Sequence, residues 1–174
     1  NPAANSQLVE GMKGLFNPGN TISKQFRTGT IGQGVLGFEE IAMSQSVKPH
    51  TTGNWGTTIT STGTLSTQGQ ATLPISFTGS SKTWKKGDVF TIENVYAVNP
   101  QTRESTGSLQ QFVVTADLTA TTTGTLDIWP AIYTASHKLA TVVSFPQSTA
   151  VVTMVGTANT GNYAQNLVYH KNAF

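Results

Sequence analysis

The sequence predicts a mainly β fold: a barrel or sandwich core with a short N-terminal helix and extended flanks. Three observations carry this expectation. Runs rich in β-branched and aromatic residues recur along the chain with turn signals between them, the pattern of all-β domains. Helical spacing of apolar residues is confined to the first twenty positions. Charged residues make up only 10% of the 174, against roughly 25% in an average soluble domain; Thr, Ser, Gly, Gln and Asn take up the shortfall. A low-charge, Thr-rich chain suits a β-rich protein packed against neighbours, where exposed charges would be desolvated at a cost.

Taken in order, the opening segment NPAANSQLVEGMKGLFNPGN reads as the short helix. Asn1 is placed to cap it, Pro2 fits the first helical position, and Leu8, Val9, Met12, Leu15 and Phe16 fall on one face. NPGN at Asn17 to Asn20 ends it, and Gly11 and Gly14 weaken it, so it needs tertiary support. The pattern then changes to period two. KQFRTGTIGQ and GVLGFEEIAMSQSV read as extended, broken at Gly34 and Gly37. From Thr51 to Gln70 the chain is Thr/Gly/Ser-rich, but TTITSTGTL alternates β-branched residues and predicts a hairpin rather than a linker. QATLPISF is a strand with Pro74 at an edge or bulge. KKGD, Lys85 to Asp88, is a turn. VFTIENVYAV, Val89 to Val98, is the strongest strand signal, with Phe90 and Ile92 on one face. SLQQFVVTAD, Ser108 to Asp117, pairs back onto it. The nine polar residues between, NPQTRESTG from Asn99 to Gly107, form the hairpin tip. TGTLDIWPAI is a strand closed by Pro130, and STAVVTMVG and NYAQNLVYH complete the set.

The residues carry little catalytic chemistry. With no cysteine, the chain has no disulfide framework, no Cys-based zinc site and no thiol nucleophile, which is consistent with a reducing cytoplasm. His50, His137 and His170 lack clustered partners, so the reading includes no metal site and no cofactor. Glu39 and Glu40 are adjacent on an extended segment and point to opposite faces. Asp117 and Asp127 flank a turn and form the one carboxylate pair to weigh for a hydrolase, against their plainer role as turn residues at strand ends. Serines are plentiful without a nucleophile elbow, and GTIGQG lacks the helix that would bind phosphate. Trp55, Trp84 and Trp129 suit core or edge packing better than a sugar-stacking platform. Net charge is +2, and the only basic cluster, SKTWKK from Ser81 to Lys86, is too small for phosphate-driven nucleic-acid binding. No apolar run approaches a membrane span, and no secretory leader stands at the start. The chain opens on Asn1 rather than Met, which suggests a piece excised from something longer. The reading is a non-enzymatic β-rich module whose business is contact with other protein.

At FRTGTIGQGVLGFEEIAMSQSVKPHTTG the order of features becomes specific: a short NP-containing helix, an extended Gly-x-Ile element, a GFEE strand, then a Ser/Pro-containing exit. KKGDVFTIENVYAVNPQTRESTGSLQQFVVTA and NLVYHKNAF follow. This resembles the major capsid (coat) proteins of tailed bacteriophages, in the branch typified by short-tailed Salmonella phages, whose shell fold carries an inserted β-barrel domain. The K-x-GD-x-F-x-I strand, NP-x-T hairpin and QQF-x-V return strand are its most distinctive part. The resemblance spans nearly all 174 residues and corresponds to the middle-to-late part of such a protein. It implies a β-barrel insertion domain over 48–155, flanked by pieces of an α+β shell fold: a short helix and extended strands over 1–47 and a returning strand over 156–174. The implied function is that of a structural subunit of an icosahedral capsid. Its partners would be other copies of itself and, during assembly, a scaffolding protein. Packaged DNA would be met only indirectly, and no membrane is involved. It would assemble in the bacterial host cytoplasm and end in the virion. Family members reach a neighbouring capsomer with a loop of the insertion domain. In this sequence NWGTTITSTGTLSTQGQ and the NPQTRESTG tip are the candidates. Gln101, Arg103, Glu104, Trp55, Lys82, Lys85 and Lys86 are the residues expected at inter-subunit contacts. The alternative is a non-catalytic binding module, either carbohydrate-binding or a phage decoration domain.

Overall fold

The computed structural model describes residues 6, 7, 10, 45–159, 163 and 164. Ser6, Gln7 and Glu10 are helical; the rest of the expected helix and the extended segments up to residue 44 lie outside the described residues. The chain divides into two compact units. The first is built from Asn1–Pro49 and Ala164–Phe174; the second, His50–Tyr163, is inserted between them in sequence.

The second unit is a six-stranded antiparallel sheet rolled almost closed. Its strands are β2 (Ile59–Ser61), β3 (Gln70–Phe77), β5 (Val89–Val98), β6 (Ser105–Val114), β8 (Thr123–Ile132) and β9 (Val152–Met154), in the order β2-β3-β8-β6-β5-β9. The two ends of that order meet. Thr60 bridges Val151, Ser61 N–H donates to Ala150 O at 2.9 Å, and Thr149 N–H donates to Ser61 O at 2.9 Å. Closure matters because an open edge leaves a row of unpaired backbone groups. Two small ladders flank the barrel: β4 (Lys82–Trp84) with β7 (Leu118–Ala120), and β1 (Pro49–His50) with β10 (Tyr163–Ala164).

Alternation fills the interior. Leu73, Ile75 and Phe77 of β3, Phe90 and Ile92 of β5, Phe112 and Val114 of β6, and Leu126 and Ile128 of β8 all point inward and are buried. Each such side chain contributes about 1.5–3 kcal/mol by leaving water. Phe90 and Phe112 are cross-strand partners, their rings stacked with centroids 5.7 Å apart. Trp84 closes one end, edge-on to Phe77 at 4.8 Å.

Pro74 and Pro130 behave differently from expectation. Pro74 sits inside a paired strand, opposite Thr125 of β8. It is tolerated because its nitrogen faces the β2 side just beyond that strand's end. There it costs half of one narrow pair: Thr62 N–H still donates to Pro74 O at 2.9 Å. Pro130 does not end β8, which runs on to Ile132. Between the pairs Thr72–Asp127 and Gln70–Ile132, two steps on β3 face five on β8. Pro130 therefore lies in a bulge, where no ladder N–H is required. The Thr/Gly-rich stretch also departs from expectation. It forms one short strand, β2, paired to β3 rather than a hairpin of its own, because Trp55, Ile59 and Leu65 are all drawn into the core.

Candidate functional site

The β5–β6 hairpin carries three of the seven candidate contact residues, Gln101, Arg103 and Glu104, at its tip. Its tip is shorter than the nine residues expected: β6 begins at Ser105, leaving Asn99 to Glu104 as the turn. Asn99 organises it. Its side-chain Oδ1 accepts from Gln101 N–H at 2.9 Å and Thr102 N–H at 3.4 Å. Its carbonyl accepts from Arg103 N–H at 2.8 Å, and its own N–H donates to Glu104 O at 3.0 Å. Asn-Pro is suited to this, since Asn bonds the backbone two residues on and Pro fixes the next φ. Arg103 takes a left-handed φ of 60° that lets the chain turn back. Gln101, Arg103 and Glu104 are all exposed, and among the described residues neither charged side chain forms an ion pair. A rigid backbone thus presents free side chains.

The hairpin is irregular behind the tip. Thr91 pairs with Gln111 and Tyr96 with Leu109, so five steps on β5 face two on β6. Asn94 takes up the excess with φ 61°. Inward side chains consequently shift from Phe90 and Ile92 to Val95 and Val98. Gly107, at φ 76°, sits in the compensating irregularity on β6 and not in the tip.

The lysines lie at the other end of the same strand. Lys82 is half-buried in β4, while Lys85 and Lys86 are exposed in the turn that leads into β5. Lys86 N–H donates to Asp117 Oδ1 at 2.7 Å, and Lys85 Nζ lies 3.7 Å from Asp117 Oδ2. A ten-residue strand separates the two groups by roughly 30 Å. Trp55 leaves the contact set: at 8% exposure it belongs to the core. Trp84 is buried too, and only Trp129, 67% exposed, faces solvent. That removes the three-tryptophan sugar platform. Asp117 is engaged by the lysine turn, and Asp127 is exposed on β8.

One residue carries more than the sequence suggested. Asp88, read only as the end of a turn, is buried. Its carboxylate accepts from Gly53 N–H at 3.1 Å and Lys85 N–H at 2.8 Å, and lies 2.8 Å from His50 Nε2. Nearby, Asn159 N–H donates to Gly53 O at 2.9 Å, and Thr52 Oγ1 donates to Thr157 O at 2.7 Å. The base of the barrel, where the chain enters and leaves, is therefore tied through Asp88 and Gly53. The signal available was a lone acid directly before the strongest apolar strand. Of the other histidines, His137 stacks on Tyr133 at 4.5 Å, and His170 lies outside the described residues. Among the described residues no group of three or more His, Asp or Glu is placed to hold a metal ion, and no helix is long and apolar enough to cross a membrane.

In sequence, the barrel lies between the two stretches of the other unit, and it presents the β5–β6 hairpin. The family described as P22 coat protein, gene protein 5, matches residues 1–174. The chain belongs to the P22 coat protein family: it is a bacteriophage coat protein with an inserted domain, and its role is structural, in the virion capsid assembled from copies of itself. Among solved structures, the CUS-3 coat protein I-domain matches at 27% identity with a TM-score of 0.41, covering 56% of this chain and 95% of that one. No curated protein matches.

Proposed function

We propose that the barrel is the part of a capsid subunit that reaches across to neighbouring capsomers, while the flanking unit, Asn1–Pro49 with Ala164–Phe174 rather than the 1–47 and 156–174 expected, builds the shell fold. The subunit assembles with a scaffolding protein in the host cytoplasm, meets packaged DNA only indirectly, and catalyses nothing. The observation that carries this reading is the β5–β6 tip, whose backbone is held by four bonds to Asn99 and Glu104 while Gln101, Arg103 and Glu104 side chains stay free. Lys85 and Lys86 at the far end of the hairpin are a second, smaller contact group. Surface ion pairs contribute little singly, but a shell repeats each contact many times and their effects add.

The test is assembly. Full-length protein expressed with a scaffolding protein is expected to give closed particles by sedimentation and electron microscopy; a protein that never forms them is not a shell subunit. Replacing Arg103 and Glu104 together by Ala leaves every tip hydrogen bond in place, since those bonds use backbone atoms and the Asn99 and Thr102 side chains. Particle yield or stability is expected to fall. Unchanged particles would reduce the tip to a solvated turn.

A further inference from the structure

The outer face of the barrel carries a row of apolar side chains that folding does not require. Val155 N–H donates to Val89 O at 2.8 Å, Val89 is the cross-strand partner of Val113, and Val113 is the partner of Trp129. The four stand side by side across the end of β9, β5, β6 and β8. Their sequence neighbours Phe90, Phe112, Val114 and Ile128 fill the core, so the pleat turns this row outward. Val89 and Val113 are half-buried by one another, as a closely spaced pair should be. Val155 is 50% exposed and Trp129 67%. The rows on either side are polar: Thr153, Thr91 and Gln111 on one, Thr115 and Asp127 on the other. Single exposed apolar residues are ordinary, but a contiguous outward row ending in a tryptophan marks a contact surface. A chain with 10% charged residues has little else to keep such a row apart from other protein.

We propose that this row, with Trp129 as its anchor, docks against a second copy of the chain in the assembled shell, an inference that rests on the capsid-subunit reading above. Size argues for that occupant. The four side chains offer on the order of 300 Å², well below the roughly 800 Å² per partner of a stable standalone complex. A contact this small does not hold a dimer in solution. Repeated by symmetry through a shell, it adds to the other contacts of the same subunit. Tryptophan at such a position is the residue type that most often dominates binding.

The molecule carries its own reporter. Of this chain's three tryptophans, Trp55 and Trp84 are buried, and the difference in iodide quenching between the full-length protein and its Trp129→Phe variant reads Trp129, whatever other tryptophans the full-length protein carries. In unassembled subunits Trp129 is expected to be quenched; in particles it is expected to be protected, with blue-shifted emission. Trp129→Lys is expected to cut particle yield by at least about fivefold, while the melting temperature of the unassembled protein stays unchanged. Protection already present in unassembled subunits would mean that another part of the same chain covers the row, and would overturn the proposal. Equal quenching in both states, or normal assembly of Trp129→Lys, would overturn it as well. Wild-type protein that forms no particles would remove the capsid reading and this inference together; the other outcomes strike this inference alone.

Discussion

With no exposed side-chain surface, the Asp88 carboxylate answers two backbone N–H groups and faces a histidine. Removing it orphans the buried Gly53 N–H and the Lys85 N–H at once, and unmade hydrogen bonds at buried donors are expensive. Asp88→Ala is expected to lower stability by about 3 kcal/mol in urea denaturation. Asp88→Asn keeps the shape but places an amide NH₂ among donors, so an intermediate loss is expected. A loss under about 1 kcal/mol for Ala would mean that the staple is not needed. Gly53 is constrained for another reason. A Cβ there would fall 2.3 Å from Thr83 O, backbone that cannot yield easily. Gly53→Ala is expected to cost roughly 1–3 kcal/mol as overpacking. Both changes act at the base of the barrel, so they should also loosen amide protection at Asn159, whose N–H bonds to Gly53 O.

At the scale of the element, the β5–β6 hairpin separates two roles that a sequence reading runs together. Asn99 holds the turn; Gln101, Arg103 and Glu104 are what the turn displays. Asn99→Ala should therefore cost about 1 kcal/mol of barrel stability, whereas Arg103→Gly should hold or raise the melting temperature. Glycine relieves the left-handed φ of 60°, worth about 1 kcal/mol, against a loss of chain stiffness in the unfolded state. The second variant is informative in assembly as well. A stable monomer with poorer particle yield would assign the guanidinium to an intermolecular contact, while a fall in melting temperature would assign it to the monomer. The irregularity behind the tip, with Asn94 at φ 61°, re-aims Val95 and Val98 into the core and thereby sets the direction in which the tip projects.

For the barrel as a whole, closure rests on a narrow seam. β2 and β9 meet through the Thr60–Val151 bridge and the two bonds of Ser61 to Ala150 and Thr149, with Ser61 Oγ donating to Gln147 O. Seam amides are expected to exchange faster than those of β3, β6 and β8, whose inward side chains are fully buried. Ser61→Ala should widen that difference while costing about 1 kcal/mol globally. Slower exchange at Ser61 than at Leu73 would show that the barrel opens elsewhere. Because the unit encloses its own core, a piece spanning residues 45–164 is expected to melt cooperatively on its own, with a β-type circular dichroism spectrum.

The element grammar was set by local residue patterns. Alternation placed Phe90 and Ile92 inward, Asn-Pro announced the tip, and Lys-Lys-Gly-Asp announced the turn. These signals are local, carried by period-two burial and by φ preferences that act within a few residues. The family resemblance was legible for the same reason, since it lay in the order of those local pieces. The tertiary structure alone decided everything that depends on partners distant in the chain. It put Pro74 inside a sheet, because β2 happens to end there. It sent Trp55 to the core and left Trp129 outside, although nothing in their immediate sequence separates them. It made Asp88 a staple, because Gly53 and His50 arrive from 35 and 38 residues away. It also lined up Val155, Val89, Val113 and Trp129, a row set by strand register, which no single strand contains.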